Sequence, residues 1–350
     1  MDRGLRFQNI YPGLYNVDVN ITARLLWMTI LASFLAGACS PVPSTPTPLP
    51  ASPMPLPLNT ATTIPTDLPL VTPAPPALVP DFSHIAMIIF ENREFEAVIG
   101  SPKLPYFNLY ASTFALLTQY HAVAHSSLPN YLALIAGDTF NASDDCALPN
   151  CSINAASLPD LIEASGRTWK TYQDDMPAPC YTGSTVRYRQ VHNPFIFFEP
   201  IRLDEARCLE HIVPLTQMDE DIEAGRLPNY FFITPDVCYS AKECELELVD
   251  GWMKAQLEKI YVALEAQGGP FLIILIWDEG TSHASCCGLP ERAGGRVATI
   301  LISPQVKSAF QDSTPYSHYS ILKTIAEAWG LPKLGHAADE ATNLITAPWK

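Results

Sequence analysis

Two pairs of polar side chains follow long apolar runs in this sequence, each at the point where the run ends. Glu91 and Asn92 come directly after the run HIAMIIF, and Asp278 and Glu279 come directly after the run FLIILIW. A single carboxylate after a strand is usually a helix cap or a solvated turn residue. Three carboxylates and an amide that leave two buried strands offer hard oxygen ligands to a divalent cation. We therefore predict one divalent metal ion, held by these four side chains.

A serine pair lies in a third segment, HSSLPNYLALIAG at 125–137, where a strand is followed by serines and then by a helix that begins near Pro129. A hydroxyl in this place lies at a helix N-terminus, among free backbone N–H groups, where a negative charge is stabilised. Taken alone, such a serine is more often a helix cap. It becomes a candidate for chemistry because it accompanies the predicted metal ligands.

Taken together, these segments resemble a bacterial and fungal phosphoesterase family that holds acid phosphatases, phosphatidylinositol phosphatases and phosphatidylcholine-cleaving phospholipases C. The resemblance covers 84–335 and depends on the order and spacing of seven landmarks. These are FENREF at 90–95, HSSLPNY at 125–131, TWKTYQDDMPAPC at 168–180, HNPFIFF at 192–198, PNYFFITPD at 228–236, WDEG at 277–280 and SHYSILKTI at 317–325. The family looks like a branch of the alkaline-phosphatase-like superfamily, which implies an α/β fold.

Carried over position by position, the resemblance implies roles for single residues. The four predicted metal ligands fall on the family's ligand positions, and Ser127 falls on that of the nucleophile. In related nucleotide pyrophosphatases the nucleophilic hydroxyl stands two places before a Pro-Asn pair, a spacing that Ser127 keeps and Ser126 does not. Asn130 would donate its amide to a phosphate oxygen. His192 would bind phosphate or protonate the leaving oxygen.

The sequence departs from the family's pattern after PNYFFITPD. Relatives place an acid and a histidine before a cysteine, where this chain has Ser240 and Lys242. Because those positions hold a second metal or contact phosphate in the superfamily, the resemblance favours one metal here. Lys242 is predicted to bind phosphate as a point charge; the alternative is a solvated loop residue in a weakened enzyme. His125 and His318 are further candidates for substrate binding, with a hydrogen-bonded structural role as the alternative for each.

The predicted site depends on elements that bring these segments together. Five short apolar runs predict strands buried on both faces, at 84–90, 116–124, 229–235, 271–277 and 297–303. Three other stretches predict helices, at 157–166, 249–268 and 318–330, two of them stopped by glycine. The alternation predicts a mostly parallel central sheet with helices on both faces, and its sites lie at the carboxyl ends of the strands.

The charge of the chain limits the partners that it can bind. With 21 Lys and Arg against 36 Asp and Glu, the 350 residues carry a formal net charge of -15. Nucleic acid is not an expected partner, because phosphate backbones attract clustered Lys and Arg that this chain lacks. An acidic enzyme that acts on phosphorylated substrates must supply positive charge locally, from a bound metal or a few placed cations.

Nine cysteines indicate an oxidising compartment. Two close pairs suit short disulfide-closed loops: Cys146 with Cys151, and Cys238 with Cys244. A zinc cluster is the alternative, but no repeated C-x-x-C spacing occurs. Cys286 and Cys287 are adjacent, so we expect them to pair with different partners rather than with each other.

The first eighty residues are predicted to direct export and to tether the chain, not to form a folded domain. The apolar run at 25–38 has the length of a signal-peptide core and ends in AGAC, which resembles a bacterial lipoprotein signal. Residues 1–39 are therefore predicted to be a signal peptide or lipoprotein anchor, with lipid attachment at Cys39. The alternatives to lipid attachment are an ordinary signal peptide and an uncleaved anchor. Residues 40–80 are predicted to be a proline-rich disordered linker. The catalytic domain is placed at 81–350.

These observations together predict an exported, metal-dependent phosphoesterase at the cell surface. The first expectation is an acid-phosphatase-like phosphomonoesterase in which Ser127 attacks phosphorus and forms a phosphoserine. Its substrate is a phosphorylated small molecule or a phospholipid head group, and the membrane is a partner through the N-terminal anchor. The alternatives are a phospholipase C-type phosphodiesterase and a catalytically weakened surface lipoprotein with a binding role. The sequence gives no oligomeric state.

Overall fold

Apolar runs rich in β-branched and aromatic residues form the centre of the fold. The structure is a computed structural model that describes residues 77–142 and 144–350. Its strands are β1 (His84–Phe90), β2 (Ala115–Leu117), β3 (Tyr120–His121), β4 (Trp169–Gln173), β5 (Ile212–Pro214), β6 (Tyr230–Thr234), β7 (Phe271–Trp277), β8 (Thr299–Ile302), β9 (Phe310–Asp312) and β10 (Tyr316–Ser317). Every residue of β1 and β7 is buried, so both faces of the sheet are covered there.

Nine α-helices accompany these strands in the described part of the chain. They are α1 (Phe95–Val98), α2 (Pro105–Thr113), α3 (Ser127–Ala136), α4 (Leu158–Ala164), α5 (Glu199–Arg202), α6 (Glu205–His211), α7 (Thr216–Glu223), α8 (Leu246–Gln267) and α9 (His318–Trp329). Helix α3 packs against α9, and α2 packs against α8. Glycines end three of the longer helices, since Gly137, Gly268 and Gly330 all have positive φ.

The sheet has eight strands among the described residues, in the order β5-β4-β6-β1-β7-β8-β2-β9. The five strands from β5 to β7 are parallel to their neighbours, whereas β8 is antiparallel to both β7 and β2. Strand β9 pairs parallel with β2, and β3 with β10 forms a separate parallel pair. The prediction of an α/β fold with a mostly parallel sheet is confirmed.

Two predicted strands differ from the structure in detail. The run at 116–124 is not one strand, because the chain leaves the large sheet at Thr118 and pairs again only in β3. The run at 297–303 contains β8, which is antiparallel.

Strand β4 was not predicted, since its Lys170 and Gln173 look like surface residues. In the fold Lys170 pairs with Asp221, and the Gln173 amide donates to threonine hydroxyls.

Four disulfides cross-link the described residues. Cys146–Cys151 and Cys238–Cys244 confirm the two predicted loops, and Cys180–Cys208 is a third bond. The expectation for Cys286 and Cys287 was wrong, because these neighbours bond to each other. All other described cysteines are already paired, so neither has another described partner. Cys39 lies outside the described residues.

The predictions for the N-terminal part of the chain concern residues that the structure does not describe. Residues 1–39 and nearly all of 40–80 lie outside the described ranges. The signal, anchor and linker assignments therefore stay predictions. Within 77–142 and 144–350, no helix combines the length and the apolar character needed to cross a membrane.

Candidate active site

The first two predicted ligand pairs meet at the carboxyl edge of the sheet. Strands β1 and β7 are parallel neighbours with Phe90 opposite Trp277, so Glu91 and Asp278 leave the sheet side by side. The Asp278 N–H donates to the Phe90 carbonyl at 2.8 Å. Glu91 and Asp278 are fully buried, and Glu279 is 3% exposed. We call Glu91, Asp278 and Glu279 the acidic cluster.

Asn92 closes the turn after β1 and ties it to the acidic cluster. Its φ of 53° lies in the left-handed region, which asparagine tolerates better than most residues. Its backbone N–H donates to Asp278 Oδ1 at 2.9 Å, and its side-chain amide points to Glu279 Oε1 at 3.4 Å. Asn92 therefore contacts Asp278 and Glu279, two of the carboxylates with which it was predicted to hold the metal ion.

Ser127 is the first residue of α3 and reaches the acidic cluster from a separate segment. Its buried hydroxyl donates to Glu279 Oε1 at 3.2 Å. Ser126, the residue before the helix, points its hydroxyl elsewhere, to Asp145 Oδ1 at 2.9 Å. The structure thus distinguishes the two serines, since Ser127 alone of the pair contacts the acidic cluster.

Asn130 lies one turn into α3 but does not present its amide to the site. Its Nδ2 donates to the carbonyls of Ala124 and Ser126, both at 2.8 Å. Its Oδ1 accepts the backbone N–H groups of Val123 and Ala124 at 2.9 and 3.1 Å. With the side chain buried and both ends engaged, Asn130 shapes the turn that carries the serines; its contact with phosphate stays a prediction.

Two of the predicted substrate-binding histidines are held by protein groups. His125 contacts Glu279 Oε2 through Nδ1, and its Nε2 lies 2.8 Å from the Ser282 carbonyl. His318 is fully buried, with Nε2 at 2.6 Å from the Asp278 carbonyl and Nδ1 at 3.2 Å from the Tyr120 hydroxyl. Burial lowers the pKa of His318 to about 4, so its ring is neutral. Both rings therefore position the acidic cluster.

His192 and Lys242 both approach Glu91. His192 Nε2 lies 2.5 Å from Glu91 Oε1, and the ring stacks on Tyr131. Lys242 Nζ lies 3.0 Å from Glu91 Oε2, with its side chain 40% exposed. The lysine is carried by the loop that the Cys238–Cys244 disulfide closes. A histidine ring and a lysine ammonium from distant segments thus face one buried carboxylate.

The charges of the acidic cluster are unequal because their partners differ. Burial opposes ionisation of Glu91, but His192 and Lys242 outweigh it and lower the pKa of Glu91 to about 2. Burial and the charges of Glu91 and Glu279 raise the pKa of Asp278 well above its ordinary value. Burial also raises the pKa of Glu279, although the contact with His125 opposes the shift. The carboxylates of the cluster therefore oppose one another's ionisation.

The donor chemistry of the cluster suits a hard divalent cation. Both Glu91 oxygens and Asp278 Oδ2 are buried without a hydrogen-bond partner in the described structure, because the Glu91 contacts lie within ion-pair distance but are not aligned as hydrogen bonds. Buried oxygens of this kind are costly unless a partner compensates them. No group of three His, Cys, Asp or Glu among the described residues is arranged to hold an ion as it stands. The predicted ligand set fits the ion by chemistry and by backbone position.

Two acidic residues that organise the site were missed. Glu94 accepts the N–H groups of Thr281 and Ser282 at 2.8 and 3.0 Å, which fixes the loop after β7. A Cβ on Gly280 would lie 2.3 Å from Glu94 Oε2, so the WDEG segment needs glycine there. Asp145 accepts the Leu128 N–H at 3.0 Å at the start of α3. Glu94 lies inside the FENREF landmark, but nothing in the sequence marks Asp145.

Comparison with known proteins gives three findings. The family model described as Phosphoesterase family matches residues 101–332. The chain is 28% identical to a phosphatidylinositol-3-phosphatase of Mycobacterium tuberculosis, over 75% of this chain and 81% of that protein. It is 30% identical to a phosphate-repressible acid phosphatase of Penicillium chrysogenum, over 73% of this chain and 60% of that protein, so it spans less than two thirds of the fungal relative.

A solved structure resembles the fold. A protein of the alkaline phosphatase superfamily from Vibrio parahaemolyticus superimposes with a TM-score of 0.52 at 12% identity, over 75% of this chain and 72% of that one. At this identity the likeness concerns the fold alone. It agrees with the mixed α/β fold and its central sheet.

Proposed function

Because this chain belongs to the phosphoesterase family, whose activity is hydrolysis of phosphoric esters, we propose that it is a phosphomonoesterase of the acid phosphatase type with Ser127 as its nucleophile. The observation that carries the proposal is the position of the Ser127 hydroxyl, which is buried at the start of α3 and donates to the acidic cluster. Free N–H groups at a helix N-terminus stabilise an anion beside such a hydroxyl. The similarity to named phosphatases supports the same assignment.

The proposed reaction has two displacements at phosphorus. Ser127 Oγ forms a bond to phosphorus while the bond between phosphorus and the ester oxygen breaks, which releases the alcohol and leaves a phosphoserine. Water then attacks phosphorus, releases inorganic phosphate and restores the serine hydroxyl. Glu279 orients the hydroxyl through its hydrogen bond, and His125 holds Glu279 in place.

Positive charge is needed because phosphate must approach a buried group of carboxylates. We propose Glu91, Asn92, Asp278 and Glu279 as the residues that would hold one divalent cation. Such an ion, when bound, lowers the pKa of a nearby hydroxyl and neutralises charge on phosphoryl oxygens. Lys242, whose side chain is 40% exposed, contributes a second positive charge beside Glu91 and would contact a bound phosphate as a point charge.

The proposed setting is outside the cytoplasm, with attachment to a membrane through Cys39. The four disulfides support this setting, because such bonds persist in oxidising compartments. The phospholipid head group and the phosphorylated small molecule both stay possible substrate classes for the proposed enzyme.

Release of p-nitrophenol from its phosphate ester tests the proposal. We expect turnover by the full chain, its loss when a chelator removes divalent cations, and its loss in Ser127→Ala. Ser126→Ala is the matched control, because it removes a hydroxyl one residue away that points to Asp145. The proposal fails if Ser127→Ala keeps the activity of the unaltered chain, or if a phosphodiester is cleaved and phosphomonoesters are not.

A further inference from the structure

A cavity of about 530 Å³ lies next to the acidic cluster. One wall is the segment that leads from β3 into α3, including His125, and the opposite walls are the loops at 287–292 and 336–342. Pockets that hold small organic ligands have volumes of roughly 300 to 1,000 Å³. The volume of this cavity therefore suits a ring-sized organic group.

His125 connects the cavity to the proposed chemistry. Its ring contacts Glu279, the residue that accepts the Ser127 hydroxyl, and the same residue lines the cavity. The His125 side chain is 30% exposed, as expected for a residue at a boundary between a buried site and an open space. A substrate whose phosphate lies at Ser127 would extend its remaining part past His125 into this space.

The base of the cavity is apolar. Val123 and Tyr319 belong to a small hydrophobic cluster, and Leu289 packs against it from the loop side. Tyr319 also contacts the His336 ring at 4.9 Å between centroids. An aromatic and an aliphatic side chain in the lining favour a ring or a short hydrocarbon over a strongly hydrated group.

Arg292 brings a positive charge to the lining of the cavity. Arg292 lines the cavity, is exposed, and forms no ion pair or hydrogen bond with any described residue. Asp339 also lines the cavity, but its carboxylate pairs with His336 Nδ1 at 2.7 Å. A free guanidinium above an apolar base, in a chain with a net charge of -15, marks a local preference for an anionic group.

We propose that this cavity binds the alcohol part of the substrate and selects phosphomonoesters whose alcohol is ring-sized, largely apolar and carries a second negative charge. The inference rests on the proposed function, because it assumes that the phosphate lies at Ser127. Tyr319 and Leu289 contact the ring, and Arg292 pairs with the second anion. A small or uncharged alcohol leaves the guanidinium unpaired.

Two substrates with one ring and different charge test the role of Arg292: phenyl phosphate and 4-carboxyphenyl phosphate. Arg292→Gln should lower kcat/KM for the carboxylated substrate about fivefold and leave phenyl phosphate within about twofold, as expected for one partly exposed ion pair. Lys259→Gln is the matched control, because it removes one positive charge from α8 and does not line the cavity. Equal losses on both substrates, or the same loss in the control, would overturn the proposal.

The size of the cavity has its own test. Ala341 lines the cavity beside Gly288, since a Cβ on that glycine would lie 3.0 Å from the Ala341 Cβ. Ala341→Phe should lower kcat/KM for both aryl phosphates by about tenfold, because it fills space for the ring, and should spare ethyl phosphate. A similar loss for ethyl phosphate would show that the cavity does not hold the alcohol.

A binding measurement separates failure of this inference from failure of the proposed function. In Ser127→Ala, calorimetry should give about fivefold tighter binding of 4-carboxyphenyl phosphate with Arg292 present than with Arg292→Gln added. Binding that ignores Arg292 overturns the cavity assignment even if the chain turns out not to hydrolyse phosphomonoesters. Hydrolysis that persists in Ser127→Ala, with binding that still depends on Arg292, overturns the nucleophile and leaves the cavity assignment standing.

Discussion

Asp221 and Asp278 are both fully buried, yet the protein treats their charges in opposite ways. Asp221 on α7 accepts hydrogen bonds from Lys170 at 2.6 Å and from Tyr172 and Arg226 at 2.8 Å. Burial opposes its ionisation, but these partners outweigh burial and lower the pKa of Asp221. We call these four residues the Asp221 network.

Asp278 lies in the acidic cluster, where the neighbours are carboxylates. Its Oδ2 has no hydrogen-bond partner in the described structure, and burial with the charges of Glu91 and Glu279 raises its pKa. The comparison teaches that burial alone does not mark a functional acid. The Asp221 network is complete in the protein itself, whereas both Glu91 oxygens and Asp278 Oδ2 in the acidic cluster have no hydrogen-bond partner among the described residues.

The largest expected effect comes from removing one hydroxyl in each region. Ser127→Ala should lower kcat for p-nitrophenyl phosphate by roughly a thousandfold or more, because the nucleophile is lost, with little change in stability. Tyr172→Phe removes a hydroxyl that donates to Asp221. It should lower the free energy of unfolding by about 1 to 2 kcal/mol and leave kcat unchanged. Rates and urea unfolding of both variants check this; a crossed result, with Tyr172→Phe inactive, would break the comparison.

Neutralising each aspartate gives the next largest effect. Asp221→Asn should lower the free energy of unfolding by about 3 kcal/mol, because Lys170 then lacks its buried counter-charge. Asp278→Asn should leave stability unchanged or raise it by about 1 kcal/mol, because it removes repulsion with Glu91 and Glu279. Urea unfolding in the presence of a chelator measures both. Equal destabilisation would show that Asp278 has a structural partner like that of Asp221.

Substitution of Lys242 tests the proposed contact with phosphate, because its partly exposed ammonium lies next to the acidic cluster. If its ammonium contacts phosphate, Lys242→Met should slow turnover about thirtyfold, since a charge contact of this kind contributes roughly 2 kcal/mol. Lys259→Met on α8 is the control for loss of one positive charge. The double change Ser240→Asp with Lys242→His restores the relatives' residues. A clear gain in rate there would contradict a compensating lysine and favour a weakened site.

The smallest effect concerns Asp174, a partly buried acid that follows β4. Burial and the nearby Asp236 carboxylate raise its pKa from 3.8 to about 6. Because the folded pKa is the higher one, the protonated group contributes stability below about pH 4 that is lost as the pH rises through about 6. At pH values above about 7, Asp174→Asn should therefore raise Tm, and the gain in the free energy of unfolding should be about 1 kcal/mol. At about pH 4 the substitution should change Tm little. A gain that is the same at both pH values would contradict a raised pKa.

The sequence predicts the elements whose burial pattern is simple. Strands β1 and β7 are unbroken apolar runs, so both their bounds and the residues that follow them were found. Strand β4 was missed because its Lys170 lies in the sheet through an ion pair with buried Asp221, 51 positions away. Distant pairing of this kind cannot be read from local pattern. The family resemblance was correct at the level of the family, but it does not show which contacts a single side chain makes.

The roles of single site residues depend on hydrogen bonds that the sequence does not contain. The landmarks place Asn130 and His318 near the site, but their side chains are engaged by the carbonyls of Ala124, Ser126 and Asp278. Family motifs report that a residue is near the chemistry, and only the fold reports which atoms stay available. Ser127 and Lys242 do keep atoms directed at the acidic cluster.

The most direct test of the account is to trap the covalent intermediate. The full chain is mixed with p-nitrophenyl phosphate and divalent cation, quenched during turnover with denaturant at neutral pH so that phosphohistidine also survives, digested and read by peptide mass spectrometry. We expect one phosphoryl group on the peptide that contains Ser127, with fragmentation placing it on that residue and not on Ser126, and none in Ser127→Ala. Rapid turnover with the phosphoryl group on His192, or on any residue other than Ser127, would contradict the central claim.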